Sequence, residues 1–320
     1  MKRIHSLDIA KGITIILMVM GHCSSYNYFH MHFISSFHMP FFFIVSGLLF
    51  SAKDRINYKK QFKSLMIPYF VFETIFCFLL CAFNHFKGVW DCFYTMITLK
   101  GLGATWFLPC LFGVECLFYI TKKIGLFQIP VIVCLSAIGL IFKPIGLLLV
   151  LFRIFVGLGF FAVGAYLPQF FQKQHKWYFL IISIAIYVFS TVFNSEMSFV
   201  GCEFGIIPLS ILSGLTGTFC LIQFSVLIHK YLSILGEKIE FFGRNTLVIL
   251  CTHMIFIEII RLLDYKMLKN VLPALGAFES FAFAFIVIIL EIPTIIFSNK
   301  YLWFLYGKGK PKTNTVKDAM

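Results

Sequence analysis

The chain has 320 residues, of which 60% are hydrophobic and 13% charged, with a mean hydropathy of +0.91. A soluble globular chain is roughly 45–50% apolar and about 25% charged, so this composition excludes a soluble enzyme, a disulfide scaffold, a coiled coil and a disordered protein. The formal net charge of +13 is the Lys/Arg excess with which membrane proteins anchor cytoplasmic loops, and it makes no case for nucleic acid.

A membrane-spanning helix needs about 20 apolar residues, and the sequence offers ten such segments in order: 9–26, 33–50, 64–83, 105–121, 127–142, 146–167, 177–193, 203–229, 242–263 and 275–298. The runs are continuous rather than alternating, which excludes an outer-membrane barrel. The expected fold is therefore an all-α integral membrane protein, a single bundle of about ten transmembrane helices. Residues 1–300 form the transmembrane domain and 301–320 a short basic cytoplasmic tail; the connections leave no room for a separate soluble domain. Lys2 and Arg3 precede an apolar run as in a signal sequence, but no small-residue cleavage site follows, so a retained first span is expected.

Basic residues set the orientation. Eighteen fall on one set of ends: Lys2, Arg3, Lys53, Arg55, Lys59, Lys60, Lys63, Lys122, Lys123, Lys173, Lys176, Lys230, Lys238 and tail lysines 300, 308, 310, 312 and 317. Five fall on the other, Lys87, Lys100, Lys143, Lys266 and Lys269. This alternation fits ten spans with both termini cytoplasmic. No internal repeat is visible, which argues against the duplicated architecture of many transporters.

Ionisable residues inside the spans carry the functional information, since each is costly unless paired or facing a cavity. The first span holds Asp8, Lys11 and His22. At about 100° per residue, Lys11 and His22 differ by roughly 20° in direction and about 16 Å along the axis, and Asp8 lies on the same face. A single such residue reads as a snorkelling lysine or an interfacial histidine; three on one stripe read as a functional face. Later spans add further polar positions, ionisable or not: His38, Ser46, Glu73, Trp106, Glu115, Arg153, Asn245, His253 and the spaced pair Glu258 and Arg261. The pair is expected to be structural. The ten cysteines contain no CxxC pair and read as packing residues. No His/Asp/Glu cluster has ligand spacing, so no metal is expected. The 42 phenylalanines read as lipid-facing and packing surface.

Asp8-Ile9-Ala10-Lys11-Gly12 with Gly21-His22 resembles the opening of membrane acyltransferase family 3, especially its fucose 4-O-acetylase-like branch. Ser36-Phe37-His38-Met39-Pro40-Phe41-Phe42-Phe43 with Ser46-Gly47 is similar to the family's next signature. Leu65-Met66-Ile67-Pro68-Tyr69, Trp106-Phe107-Leu108-Pro109 and Gly243-Arg244-Asn245-Thr246 with His253 resemble three more, in family order. The resemblance implies a bundle of about ten helices, in a bacterial inner membrane, that moves an acyl group, commonly acetyl from acetyl-CoA, onto a sugar hydroxyl in polysaccharide modification. It implies no bound cofactor, with acetyl-CoA as co-substrate. The partners implied are acyl-CoA, a carbohydrate or glycolipid acceptor and the bilayer, with a homo-oligomer compatible.

His22 matches the family's essential histidine, which makes it the expected general base, with Asp8 and Lys11 beside it. Lys11 stands where many members have arginine, keeping the charge but losing the planar fork. Lys60 and Lys63 are the nearest equivalents of the family's Arg-x-x-Arg pair before the third span, and with Lys11 they are the expected acyl-donor mouth. His38, Ser46, Trp106, Glu115, Arg153, Asn245 and His253 are the candidate substrate-cavity residues. The alternative reading is a transporter or flippase for a sugar-lipid or small solute that uses the same charged stripe as a pathway.

Overall fold

The computed structural model describes residues 3–23, 30–51, 57–82, 88–173, 175–195, 197–268 and 278–309. The expected positions of Lys2, Lys53, Arg55, Lys87, Lys269, Lys310, Lys312 and Lys317 lie outside them. The described residues form helices and no strand, with one isolated bridge between Ser198 and Glu203. Among the described residues thirteen α-helices run in chain order: α1 His5–Cys23, α2 Ser35–Ser51, α3 Tyr58–Ala82, α4 Val89–Ile97, α5 Phe107–Lys122, α6 Gln128–Ile141, α7 Leu148–Tyr166, α8 Pro168–Gln172, α9 Trp177–Val192, α10 Ile207–Tyr231, α11 Ser233–Arg244, α12 Thr246–Leu263 and α13 Glu279–Tyr301.

Each expected apolar segment coincides with a helix, but their lengths differ. Among the described residues, eight helical stretches are long and apolar enough to cross a membrane, and the stretches Gly125–Ile141 and Trp177–Val192 are shorter. The 16 residues of α9 rise about 24 Å, against a hydrocarbon core of about 30 Å. Three helices were not expected as elements: the short α8 and the amphipathic α4 and α11. The third span also starts earlier than its hydropathy suggests. The Asn57 side chain accepts a hydrogen bond from the Lys60 backbone N–H at 3.0 Å, an N-cap that winds the polar stretch Tyr58–Lys63 into α3. Lys60 and Lys63 therefore stand on the first turns of α3 rather than in a loop before it.

The chain divides into two compact units. The first comprises Met1–Leu17, Tyr28–Ile56 and Gly113–Arg244. Within it α2 and α7 touch backbone to backbone, because each offers a glycine to the other. A Cβ at Gly47 would strike the Phe161 carbonyl, and one at Gly164 the Ile44 carbonyl. Small residues at such crossings are what let membrane helices approach. The start of α1 meets α11 in the same way, Gly12 facing the Ile239 carbonyl and Gly243 the Asp8 carbonyl. Phe50, Phe118 and Phe161 meet edge to face in the core of this unit, with ring centroids 5.2–5.6 Å apart.

The second unit comprises Met18–Asn27, Asn57–Phe112 and Asn245–Met320. It holds the last residues of α1, with α3, α4, the start of α5, α12 and α13. The beginning of the expected tail packs into this unit. Trp303–Tyr306 forms a 3-10 turn, Tyr306 is buried with its ring tilted against Phe72 at 5.2 Å between centroids, and Gly307 lies against the Lys63 carbonyl in a left-handed conformation (φ 61°).

Candidate active site

In the second unit the imidazoles of His22 and His253 lie together, ring centroids 5.4 Å apart and tilted by 41°. His22 is half-buried near the C-terminal end of α1, whereas His253, in the middle of α12, has no exposed surface. The Nδ1 of His253 is 2.7 Å from the Ile249 carbonyl oxygen one turn earlier. A carbonyl can only accept, so Nδ1 carries the hydrogen and Nε2 is left with its lone pair. That Nε2 is buried and has no hydrogen-bond partner among the described residues. An unpartnered buried polar atom is uncommon and calls for a reason.

The end of α1 is held independently of the His22 ring. Arg261 Nη2 donates to the His22 backbone carbonyl at 3.1 Å, a cation on the exposed carbonyls of a helix C-terminus. Arg261 also pairs with Glu258 at 3.7 Å and lies over the Phe283 ring. The expected Glu258–Arg261 pair is present, and one member of it fixes the site.

Two buried carboxylates stiffen the same unit. Glu73 of α3 has no exposed surface. It accepts hydrogen bonds from the Leu102 N–H, at 3.0 Å to one oxygen, and from the Thr105 hydroxyl. Those bonds fold the connection into the 3-10 turn Ala104–Trp106, where Trp106 is buried. Glu291 of α13 accepts from the Thr252 hydroxyl at 2.8 Å, joining α13 to α12 one residue before His253. Asn245 at the start of α12 accepts from Asn299 of α13 at 2.7 Å.

Asp8 and Lys11 belong to the first unit and pair with each other. Lys11 Nζ is 2.5 Å from one Asp8 oxygen, and Arg3 Nε donates to the other at 2.9 Å. Arg3 also approaches Glu240 of α11 at 3.5 Å. His5 Nδ1 lies 3.0 Å from Glu240, and Arg244 Nε donates to it at 2.9 Å. Burial opposes ionisation of Glu240, but hydrogen bonds and charge from Arg244 and His5 outweigh it and hold its carboxyl below the ordinary range. The arrangement is a closed ion network that ties the start of α1 to α11.

The remaining candidates separate by environment. Lys60 and Lys63 are exposed on α3 in the second unit, three residues apart on one face; Lys11 lies in the other unit. Arg153 is buried on α7, and its Nε and Nη2 donate to the Val200 carbonyl at 3.0 and 2.6 Å, which anchors the connection before α10. His38 Nδ1 lies 2.9 Å from the Ile34 carbonyl, Ser46 is half-buried, and Glu115 is buried on α5; these three are in the first unit. The His22–His253 contact escaped the sequence, which gave His22 as the base and His253 only as a cavity residue. Glu291 was also passed over, although a carboxylate within an apolar run is itself a signal.

A family model described as an acyltransferase domain matches residues 4–306. Over 187 residues the chain is 29% identical to nodulation protein NolL of Sinorhizobium fredii, covering 53% of this chain and 50% of that protein. The chain thus spans about half the length of the curated relative it matches. No solved structure matches it.

Proposed function

The chain belongs to the acyltransferase-3 family, and from that premise we propose that this multi-pass membrane protein moves an acetyl group from acetyl-CoA to a hydroxyl of a sugar or glycan, with His22 as general base. The observation that carries the reading is the paired imidazoles of His22 and His253 within a membrane-spanning unit. Acyl transfer from a thioester needs a group that takes the hydroxyl proton, and histidine is the default at neutral pH. The acceptor oxygen bonds to the acetyl carbon as the carbon–sulfur bond breaks. The hydroxyl proton passes to the His22 ring and from there to the departing thiolate, leaving an ester and free CoA.

His22 is the member of the pair with exposed surface, so it is the one that touches substrate. His253 is wholly buried behind it, its Nδ1–H anchored and its Nε2 open, and acts as a positioning residue for the His22 ring. Lys60 and Lys63, exposed on the first turns of α3, suit the phosphates of a soluble donor. Asp8 and Lys11 contribute through the ion network that holds the start of α1. The basic-residue bias puts that end, Lys60 and Lys63 on the cytoplasmic face, in a ten-span arrangement with both termini inside.

The direct test supplies purified protein with acetyl-labelled acetyl-CoA and an extracted glycan or glycolipid pool. Label appearing as alkali-labile O-ester on glycan, with CoA released in equal amount, is the expected result. Movement of a glycolipid across proteoliposomes without any consumption of acetyl-CoA would instead establish transport.

A further inference from the structure

The joint between α3 and α4 gathers three thiols that the acyl-transfer chemistry does not use. Cys77 and Cys81 are four residues apart on α3 and so share a face; Cys92 comes from α4. Their sulfur atoms all lie within 4.8 Å of one another, and Cys81 and Cys92 are 3.7 Å apart. Cys77 and Cys92 are buried and Cys81 is half-buried. Cys92 is the buried side chain of α4, while Trp90, Phe93, Tyr94 and Ile97 are exposed. An amphipathic helix ordinarily buries an aliphatic or aromatic stripe; α4 instead turns a cysteine inward, onto two more.

The spacing suits a metal ion. A thiolate–metal bond of about 2.3 Å places the sulfurs of a trigonal site about 4.0 Å apart. The separations here, from 3.7 Å up to 4.8 Å, close to that value with small side-chain rotations. Among the described residues no histidine or carboxylate joins the group, so its donors are all sulfur. Sulfur-only donor sets select soft ions. Structural zinc sites are closed by four ligands, whereas three sulfurs suffice for monovalent copper.

We propose that Cys77, Cys81 and Cys92 form a binding site for one Cu(I) ion, which fastens α4 to α3. Each thiol that ligates as a thiolate releases its proton to solvent as the sulfur–copper bond forms, and no electron is transferred. The proposal is independent of the acyl-transfer reading.

The test uses the full-length protein, reduced and kept without oxygen in detergent, titrated with Cu(I) supplied as its acetonitrile complex against the competitor bicinchoninate. One equivalent should bind ahead of any other, with a first shell of sulfur alone by X-ray absorption. The same equivalent should block alkylation of half-buried Cys81 by N-ethylmaleimide while exposed Cys134 still reacts, a readout that requires no variant. Cys81→Ser should weaken binding by more than the roughly 10–100-fold that losing an outer partner of a metal ligand costs. Cys134→Ser should leave it unchanged. Unprotected Cys81 in the copper-loaded wild type overturns the site, as does tight binding retained in Cys81→Ser. Displacement of Cu(I) by equimolar Zn(II), or a Cys81–Cys92 disulfide in place of a metal-binding thiol pair, overturns the assignment to copper.

Discussion

Replacing His22 with alanine separates catalysis from folding unusually well in this protein. Alanine is the better helix former, and the end of α1 is capped through the His22 backbone carbonyl by Arg261, which the substitution leaves in place. The ring removed is half-buried, so no closed cavity remains, and the thermal midpoint in detergent should stay near that of the wild type. Activity should not. A positioned base contributes about 10²–10⁴-fold, equal to about 2.7–5.4 kcal/mol of transition-state stabilisation. Since the base acts on a proton that moves only in the transition state, kcat and kcat/KM for acetyl-CoA should fall together, with the donor KM unchanged. The assay is release of CoA at saturating donor and acceptor, with single-turnover measurements to separate chemistry from product release. His253→Ala empties a site with no exposed surface and should lower stability by about 2–5 kcal/mol. After correction for folded protein, its turnover should fall less than that of His22→Ala. His38, bonded to the Ile34 carbonyl just before α2, should tolerate alanine with turnover close to wild type. Near-normal turnover in His22→Ala, with activity abolished in His253→Ala or His38→Ala, would refute the assignment.

The double variant Lys60→Gln/Lys63→Gln should raise the apparent KM for acetyl-CoA with little change in kcat, and the difference should shrink at high salt, where exposed charges are screened; an unchanged donor dependence removes these lysines from the site. Glu73→Leu leaves the Leu102 N–H and the Thr105 hydroxyl without their acceptor and should lower stability by about 1–3 kcal/mol in a detergent melt, with Glu73→Gln intermediate. The Glu240 carboxyl is held below its ordinary range by Arg244 and His5, so its contribution is complete above about pH 4.3 and lost as pH falls through the lower folded value; Glu240→Gln should cost stability at neutral pH and flatten this acid limb. If α6 and α9 both cross the membrane, reporters fused after residues 122 and 175 should read cytoplasm and those after 145 and 198 the opposite face; matching signals on both sides of either helix would remove it from the spans.

How far the sequence could be read follows from the range of each signal. Apolar runs are local, and each of the ten segments became a helix for that reason. The boundaries were less visible: the Asn57 cap extends α3 through three lysines that hydropathy alone excludes. The helices α4 and α11 escaped because they are short and only one-sided. The motif glycines Gly12, Gly47 and Gly243 were legible as a pattern but not as a cause; Gly12 pairs with Gly243, and Gly47 with Gly164, which no motif included, so that each helix leaves room for the other's backbone. His22 stood out as an ionisable residue in a span, yet its contact with His253 depends on the folded arrangement of α1 and α12, which no periodicity encodes. The Cys77–Cys81 spacing was readable as one helix face, but Cys92 enters it from a helix that hydropathy did not reveal.

The buried polar groups of the spans then divide by what satisfies them. Glu73 holds a loop, Glu291 a neighbouring helix and Arg153 a carbonyl, while Asp8 and Lys11 neutralise each other. Each has a partner that accounts for its position. His253 differs: one ring nitrogen is fixed to its own helix and the other has no partner among the described residues. Leaving a buried acceptor unmade costs about 1–3 kcal/mol, and a purely structural residue at this place on α12 would avoid that cost with a leucine or phenylalanine of similar size. The tautomer fixed by Ile249 turns the open nitrogen into a lone pair with a defined orientation, next to the one imidazole of the pair that has exposed surface. A base needs a neighbour that positions it without competing for its proton donor. An imidazole whose own hydrogen is already committed to a backbone carbonyl meets that requirement, which is the physical reason to expect the two histidines to act as a unit and their double substitution to cost less than the product of the single losses.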